Sequence, residues 1–230
     1  MDKFKRKLYK LEYKYGRYAI HNLMLYVVVT MLAVYFMQYF LGMPMYRWLS
    51  LTRDGLMHGQ IWRLVTFIFL PPNTSPIWMV FFLYFSYLIG NSLEQHWGAF
   101  KFNLYYLLGI LFLVASALIS GGTTVEYLNL SLFLAFAQLF PDTQFMLFFF
   151  IPVKAKWLAW ADWALFGFNL IIGIVTFNWP LVLSILFTVA NFLLFFGGDL
   201  YNQLRYRFGY NSTRNNFRRA MRENERKNRR

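Results

Sequence analysis

The chain has 230 residues, of which 58% are hydrophobic and 22% aromatic, and it carries a formal net charge of +13 with no cysteine. The missing cysteine excludes disulfides, thiolate nucleophiles and Cys-ligated metals. The positive charge is what basic ends give a small membrane protein, so it is no pointer to DNA or to nucleic acid in general.

In chain order, a basic arm over residues 1–17 comes first, with Lys3, Lys5, Arg6, Lys7, Lys10, Lys14 and Arg17. Six apolar runs follow, at 18–41, 77–90, 102–119, 127–140, 157–177 and 180–196. Each is near or somewhat short of the roughly 20 residues that span a hydrocarbon core. Lipid offers no backbone hydrogen-bond partners and the runs do not alternate strictly, so helices are predicted and a barrel is not. The first run is too long for a signal-peptide core and has no cleavage pattern after it, so it reads as a retained anchor.

Cations set the orientation. They crowd into the arm, into Lys101, into Lys154 and Lys156, and into residues 202–230, whereas the segment 42–76 holds only Arg47, Arg53 and Arg63. The positive-inside rule then predicts an all-α, multi-pass protein of the cell membrane with six transmembrane helices and both termini cytoplasmic. The organisation is an arm (1–17), a membrane domain (18–201) and a basic tail (202–230). The tail suits anionic lipid headgroups, or alternatively the ribosome through its RNA.

Small and polar residues recur at helical spacing within the runs, as interhelical packing in lipid requires. The sets are Ser86, Gly90 and Glu94; Gly109, Ser116 and Ser120; Ser131, Ala135 and Gln138; Asp162, Asn169 and Gly173; and Ser184, Thr188 and Asn191. Strongly polar groups are costly at depth, which singles out Asp162, Asn169 and Asn191. The fourth run, at 14 residues, is too short to cross alone and is predicted to stand inside a ring of longer helices. Pro141 and Asp142 end it, and the apolar stretch 145–153 either lies along the inner interface or extends the crossing after a break.

These pieces resemble the rhomboid and derlin superfamily. The resemblance is carried by Ile61-Trp62-Arg63-Leu64-Val65-Thr66-Phe67, by Leu93-Glu94-Gln95-His96-Trp97-Gly98, by Tyr105-Tyr106-Leu107-Leu108-Gly109, by Leu139-Phe140-Pro141, and by Ile151-Pro152-Val153-Lys154-Ala155-Lys156-Trp157-Leu158. It implies that Trp62, Arg63 and Glu94 are structural braces. It also implies a serine nucleophile at the start of the fourth helix and a histidine base on the sixth, because a hydroxyl is a poor nucleophile until a base takes its proton. Here the family's Gly-x-Ser-Gly falls near Thr124-Val125-Glu126-Tyr127, and Ala190-Asn191-Phe192 stands where the family has Ala-His-Leu. Trp78 and Phe82 occupy the places of the residues that help stabilise the oxyanion.

The expectation is therefore a rhomboid-like pseudoprotease with no catalytic residues. It would bind transmembrane segments of membrane-protein clients, with Asn129, Ser131, Gln138, Asn169 and Asn191 as candidate contacts, in membrane-protein quality control. Two other classes stay open. One is a small-solute transporter working through Asp162, Asn169 and Asn191, and the other an active serine protease of unusual mechanism using Ser131. No cofactor is implied, since no Walker-type or dinucleotide-binding glycine pattern occurs, and His21, His58 and His96 are too scattered for a metal site.

Overall fold

The computed structural model describes residues 3–72, 74–122, 125–147 and 151–198. The chain divides into two compact units, Met1–Phe192 and Leu193–Arg230, and all contacts below lie within the first. The basic tail expected at 202–230 falls outside the described residues.

An arm helix α1 (Lys3–Tyr15) leads through a 3-10 turn at Gly16–Tyr18 into α2 (Leu23–Tyr39). Three short helices follow: α3 (Met45–Leu49), α4 (Arg53–Met57) and α5 (Arg63–Thr66). Then come α6 (Pro76–Trp97), α7 (Ala99–Ser120) and α8 (Glu126–Leu139), a hairpin of β1 (Gln144–Leu147) and β2 (Ile151–Lys154), α9 (Ala155–Val175) and α10 (Trp179–Gly198). The protein is mostly helical. By length and composition α6, α7, α9 and α10 suffice to cross a membrane, and a bent pair, residues Tyr9–Tyr18 with α2 at 53°, makes a fifth candidate.

Two expectations need correction. The first run is no straight helix from residue 18: α2 begins only at Leu23, directly after Asn22, whose backbone is left-handed at φ 55°. The Asn22 amide donates to the Glu94 carboxylate at 2.7 Å. That places a negative charge at the N-terminal end of α2, where the helix dipole favours it. The stretch 145–153, expected as an interfacial segment or an extended crossing, holds an antiparallel hairpin pairing Gln144 with Lys154 and Phe145 with Val153. The all-α description therefore carries this one exception among the described residues. Side chains alternate as a strand dictates: Phe145 is buried against Phe85, Phe133 and Phe136, and Met146 points outward. Of the six crossings expected, four or five are long and apolar enough by length and composition, and α8, as expected, is only 14 residues long, about 21 Å at 1.5 Å per residue.

Two glycines make the tight corners. Gly98, at φ 84°, joins the end of α6 to the start of α7, and Gly121, at φ 102°, closes α7. Against α6, α2 packs its Met24, Val27 and Met31 side, and a Cβ on Gly90 would collide with Met24, so the small residue sets that approach. α8 buries Leu128, Leu132, Leu134 and Phe136 around most of its circumference, the pattern of a central helix. Backbone bonds from Ala155 to the Thr143 carbonyl and from Lys156 to the Pro141 carbonyl start α9 beside the end of α8, so α9 runs back antiparallel to it. The end of the bundle holding Gly98, Lys101, Lys154 and Lys156 is the basic end, and the opposite end carries residues 42–75.

The 42–75 loop is organised by one guanidinium. Arg63 is buried and donates through Nη1 to the Ser50 carbonyl (2.6 Å), through Nη2 to the Arg47 carbonyl (2.6 Å) and through Nε to the Gln60 side-chain oxygen. Gly55 leaves room for it, since a Cβ there would stand 2.8 Å from Nε. The Trp62 indole donates to the Trp48 carbonyl at 3.3 Å. A bridge between Thr52 and Gly122 ties the loop to the corner before α8.

Replacing Arg63 by Met leaves these buried carbonyls without their donor and should cost on the order of 3 kcal/mol. Arg63→Lys, a single point of charge without the fork, should recover only part of it. Thermal unfolding of the two variants in detergent checks the ordering. At the basic end, Lys154 and Lys156 reach Asp142 at 3.1 and 3.3 Å and hold its carboxyl below its ordinary value near 3.8. A depressed carboxyl contributes stability above the unfolded value and loses it as pH falls through the folded one. Amide-exchange protection in the hairpin, taken relative to the unfolded-chain rate at the same pH, should therefore fall below about pH 4 in the native protein, and Asp142→Asn should abolish that dependence.

Candidate functional site

Where α7, α8 and α10 meet, one residue without a side chain decides the spacing. A Cβ on Gly109 would collide with Leu128 of α8 and come within 3.1 Å of the Asn191 side-chain nitrogen of α10. One turn before it, Tyr105 links both neighbours. Its hydroxyl meets Ser131, with the backbone carbonyl at 3.0 Å and Oγ at 2.5 Å, and its own carbonyl accepts from Asn191 Nδ2 at 3.4 Å. Further along the same α7–α10 contact, Ser116 and Ser184 face each other at 3.2 Å.

α9 closes the arrangement. Tyr127 of α8 lies 6.3 Å from Phe166 of α9, ring to ring. Because the two helices are antiparallel, one turn onward brings Ser131 and Asp162 to the same level. Trp163 of α9 packs edge-on against Phe192 of α10 at 5.7 Å, and a Cβ on Gly173 would stand 2.8 Å from Val182. Asp162 and Asn191 are thus level as well. Four helices deliver Tyr105, Ser131, Asp162 and Asn191 to one height in the bundle.

This polar layer is incompletely satisfied. Among the described residues Asp162, 4% exposed, makes no hydrogen bond through either carboxylate oxygen. The Asn191 side-chain oxygen, the Thr188 hydroxyl, the Tyr106 hydroxyl and both polar atoms of Asn129 are also buried and unbonded. A buried polar atom without a partner costs roughly 1–3 kcal/mol, and folded proteins keep few of them. No cation pairs with Asp162 among the described residues: Lys154 and Lys156, about two turns below it, are both directed to Asp142.

The candidate residues fall into two groups. Ser131 and Asn191 are joined through Tyr105, with Asn129 two residues from Ser131 on α8 and half-buried. Gln138 and Asn169 are half-buried on α8 and α9 and take no part in that link. Trp62, Arg63 and Glu94 belong to the loop and to the foot of α2, apart from the layer. Sequence reasoning missed Tyr105. The signal was its place one helical turn before Gly109, where a long side chain and a close approach share a face.

The remaining candidate chemistry lies elsewhere. Ser131 is buried with its hydroxyl on Tyr105. His58 is exposed, its Nδ1 2.8 Å from the Asp54 carbonyl, and His96 stands edge-on to Phe140. No group of three or more His, Cys, Asp or Glu converges among the described residues. At the loop end a cleft of about 180 Å³ is lined by Tyr46, Leu51, Phe67, Leu70 and Val125, with Glu126 at the start of α8. Burial there, with the nearby Glu126 charge, pushes the Tyr46 phenol above its ordinary value, and its hydroxyl donates to the Pro71 carbonyl.

An unpaired carboxylate packed among helices is a stability cost that an apolar side chain of similar size removes. Asp162→Leu should therefore raise the thermal midpoint of the purified protein, by roughly 1–3 kcal/mol in unfolding free energy. A lowered midpoint would mean that the carboxylate makes a favourable contact. No protein-family model matches this chain, and no curated protein matches it.

Proposed function

We propose that this is a non-catalytic, rhomboid-like integral membrane protein that holds transmembrane segments of other membrane proteins, in the service of membrane-protein quality control. In this reading α8 counts as a sixth, shielded crossing, and both termini are cytoplasmic. The observation that carries it is the level of unsatisfied polar atoms formed by Asp162, Asn191 and Asn129. Helices in lipid associate through close packing and interhelical hydrogen bonds. A bundle that keeps hydrogen-bonding capacity in its core offers a partner to a segment that is itself poorly suited to lipid. Clients with polar or helix-breaking residues gain most, being the least stable in hydrocarbon.

Two further features support the reading. α8 is too short to cross alone and is surrounded by longer helices, an arrangement in which polar groups are tolerated at membrane depth away from acyl chains. Hydrolysis has no evident machinery in it: the Ser131 hydroxyl is engaged by Tyr105, a phenol and not a base at neutral pH, and the family's histidine position is taken by Asn191. The resemblance in residues 61–67, 93–98 and 151–158 adds the expectation of a client-handling scaffold.

The test is site-specific photo-crosslinking in native membranes. A benzophenone at Asn129 or Asn169 should capture membrane-embedded proteins, and the yield should fall when the layer is made apolar by Asp162→Leu. The same probe at Tyr26, which is exposed on α2, supplies the comparison. Equal adducts from Tyr26 and Asn129 would remove the reading.

A further inference from the structure

The arm helix α1 carries six of the chain's cations within 13 residues, in the sequence Lys-Phe-Lys-Arg-Lys-Leu-Tyr-Lys-Leu-Glu-Tyr-Lys-Tyr. Helical periodicity gathers positions 3, 6, 7, 10 and 14 within about 100° of arc, and positions 4, 8, 11 and 15, all Phe, Leu or Tyr, within about 60° beside them. The helix is thus amphipathic with a basic face, the pattern of a helix lying in a membrane interface.

A third side fixes it to the bundle. Glu12, the single acidic residue of α1, pairs with Lys101 of α7 at 3.2 Å, and the Lys101 ammonium also sits 4.6 Å from the centre of the Tyr9 ring. Glu12 also lies at the Gly98 corner, where a Cβ on the glycine would stand 4.0 Å from its carboxylate. The one acid within α1 is therefore occupied by Lys101. Two positions of the apolar edge are left outside: Leu11 and Tyr15 are each 44% exposed. The anchoring point is the start of α7, a helix long and apolar enough to cross a membrane. α1 is thus held where a span meets the interface.

We infer that α1 is a lipid-surface module whose partner is a bilayer leaflet rich in anionic headgroups, the cations facing headgroup charge and the Leu/Tyr edge entering the interface. Charge complementarity selects this occupant: a neutral leaflet would reward the apolar edge and leave the five clustered cations unanswered, whereas an anionic surface engages both. The inference is independent of the client-binding reading, since it uses no residue of the polar layer.

Because the chain has no cysteine, Leu11→Cys creates a single thiol for an environment-sensitive fluorophore in the full-length protein. The labelled protein is placed in nanodiscs of phosphatidylcholine alone or mixed with phosphatidylglycerol, and shielding from aqueous iodide is read. Shielding should rise with the phosphatidylglycerol fraction and be reversed by high salt. At the half-shielded composition, Lys10→Gln and Lys14→Gln should each shift the shielded-to-unshielded ratio about fivefold, with the Glu12–Lys101 pair and the thermal midpoint retained. Equal shielding in neutral and anionic discs overturns the inference. So does shielding that follows added RNA but ignores lipid charge.

Discussion

The closest constraint in this molecule is the absence of a side chain at Gly109, which lets α8 and α10 approach α7 at one height. With the helices at that separation, Tyr105 can reach Ser131 through its hydroxyl and Asn191 through its carbonyl. In a soluble protein such a junction would be secondary to burial of apolar area. In lipid it is primary, because acyl chains are as apolar as Leu and nothing but packing and hydrogen bonding draws helices together. A larger residue at this position would separate three helices at once and uncouple the polar groups that the junction assembles.

The same junction explains why the polar layer is under-satisfied. Tyr105 occupies the Ser131 hydroxyl and one end of the Asn191 amide, and its position between α8 and α10 leaves the other amide atom and the Asp162 carboxylate without protein donors. Arg63 shows what satisfied charge looks like in this fold, and Glu94 a half-satisfied one, its second carboxylate oxygen being buried without a partner. Glu94 receives the Asn22 amide at the foot of α2, and Arg63 spends all three of its nitrogen positions on acceptors of one loop. Asp162 has no such arrangement. A group kept against its cost in stability is a reason to ask what it does, and recognition of a polar transmembrane segment is the use proposed for it.

Charge is distributed with equal economy at the basic end. Asp142 gathers Lys154 and Lys156 and so keeps the hairpin closed below α8 and α9, while Glu12 gathers Lys101 and holds the arm against α7. Each of these two acids answers a cation of a neighbouring element, and neither pairs with Lys10 or Lys14 on the basic face of α1. That surplus gives the arm its own proposed partner, separate from anything held within the helices.

Much of this was legible in the residues taken one run at a time. Hydrophobic length and the lack of alternation specified helices and the four long spans, the 14-residue run specified a short α8 ended by Pro141, and helical spacing named Ser131 and Asn191 as inward-facing. The buried setting of Asp162 and the bracing geometry around Arg63 were within reach of the same reasoning. What stayed hidden depended on partners far away in the chain. The break before α2 rests on Glu94, 72 residues from Asn22; the hairpin rests on Phe145 finding Phe85 and Phe136; and the Tyr105 junction depends on the height at which α10 passes α7. Period and length are properties of one segment, so the sequence alone determines them. Register between segments is set by packing at positions such as Gly90, Gly109 and Gly173, and only the tertiary structure decides it.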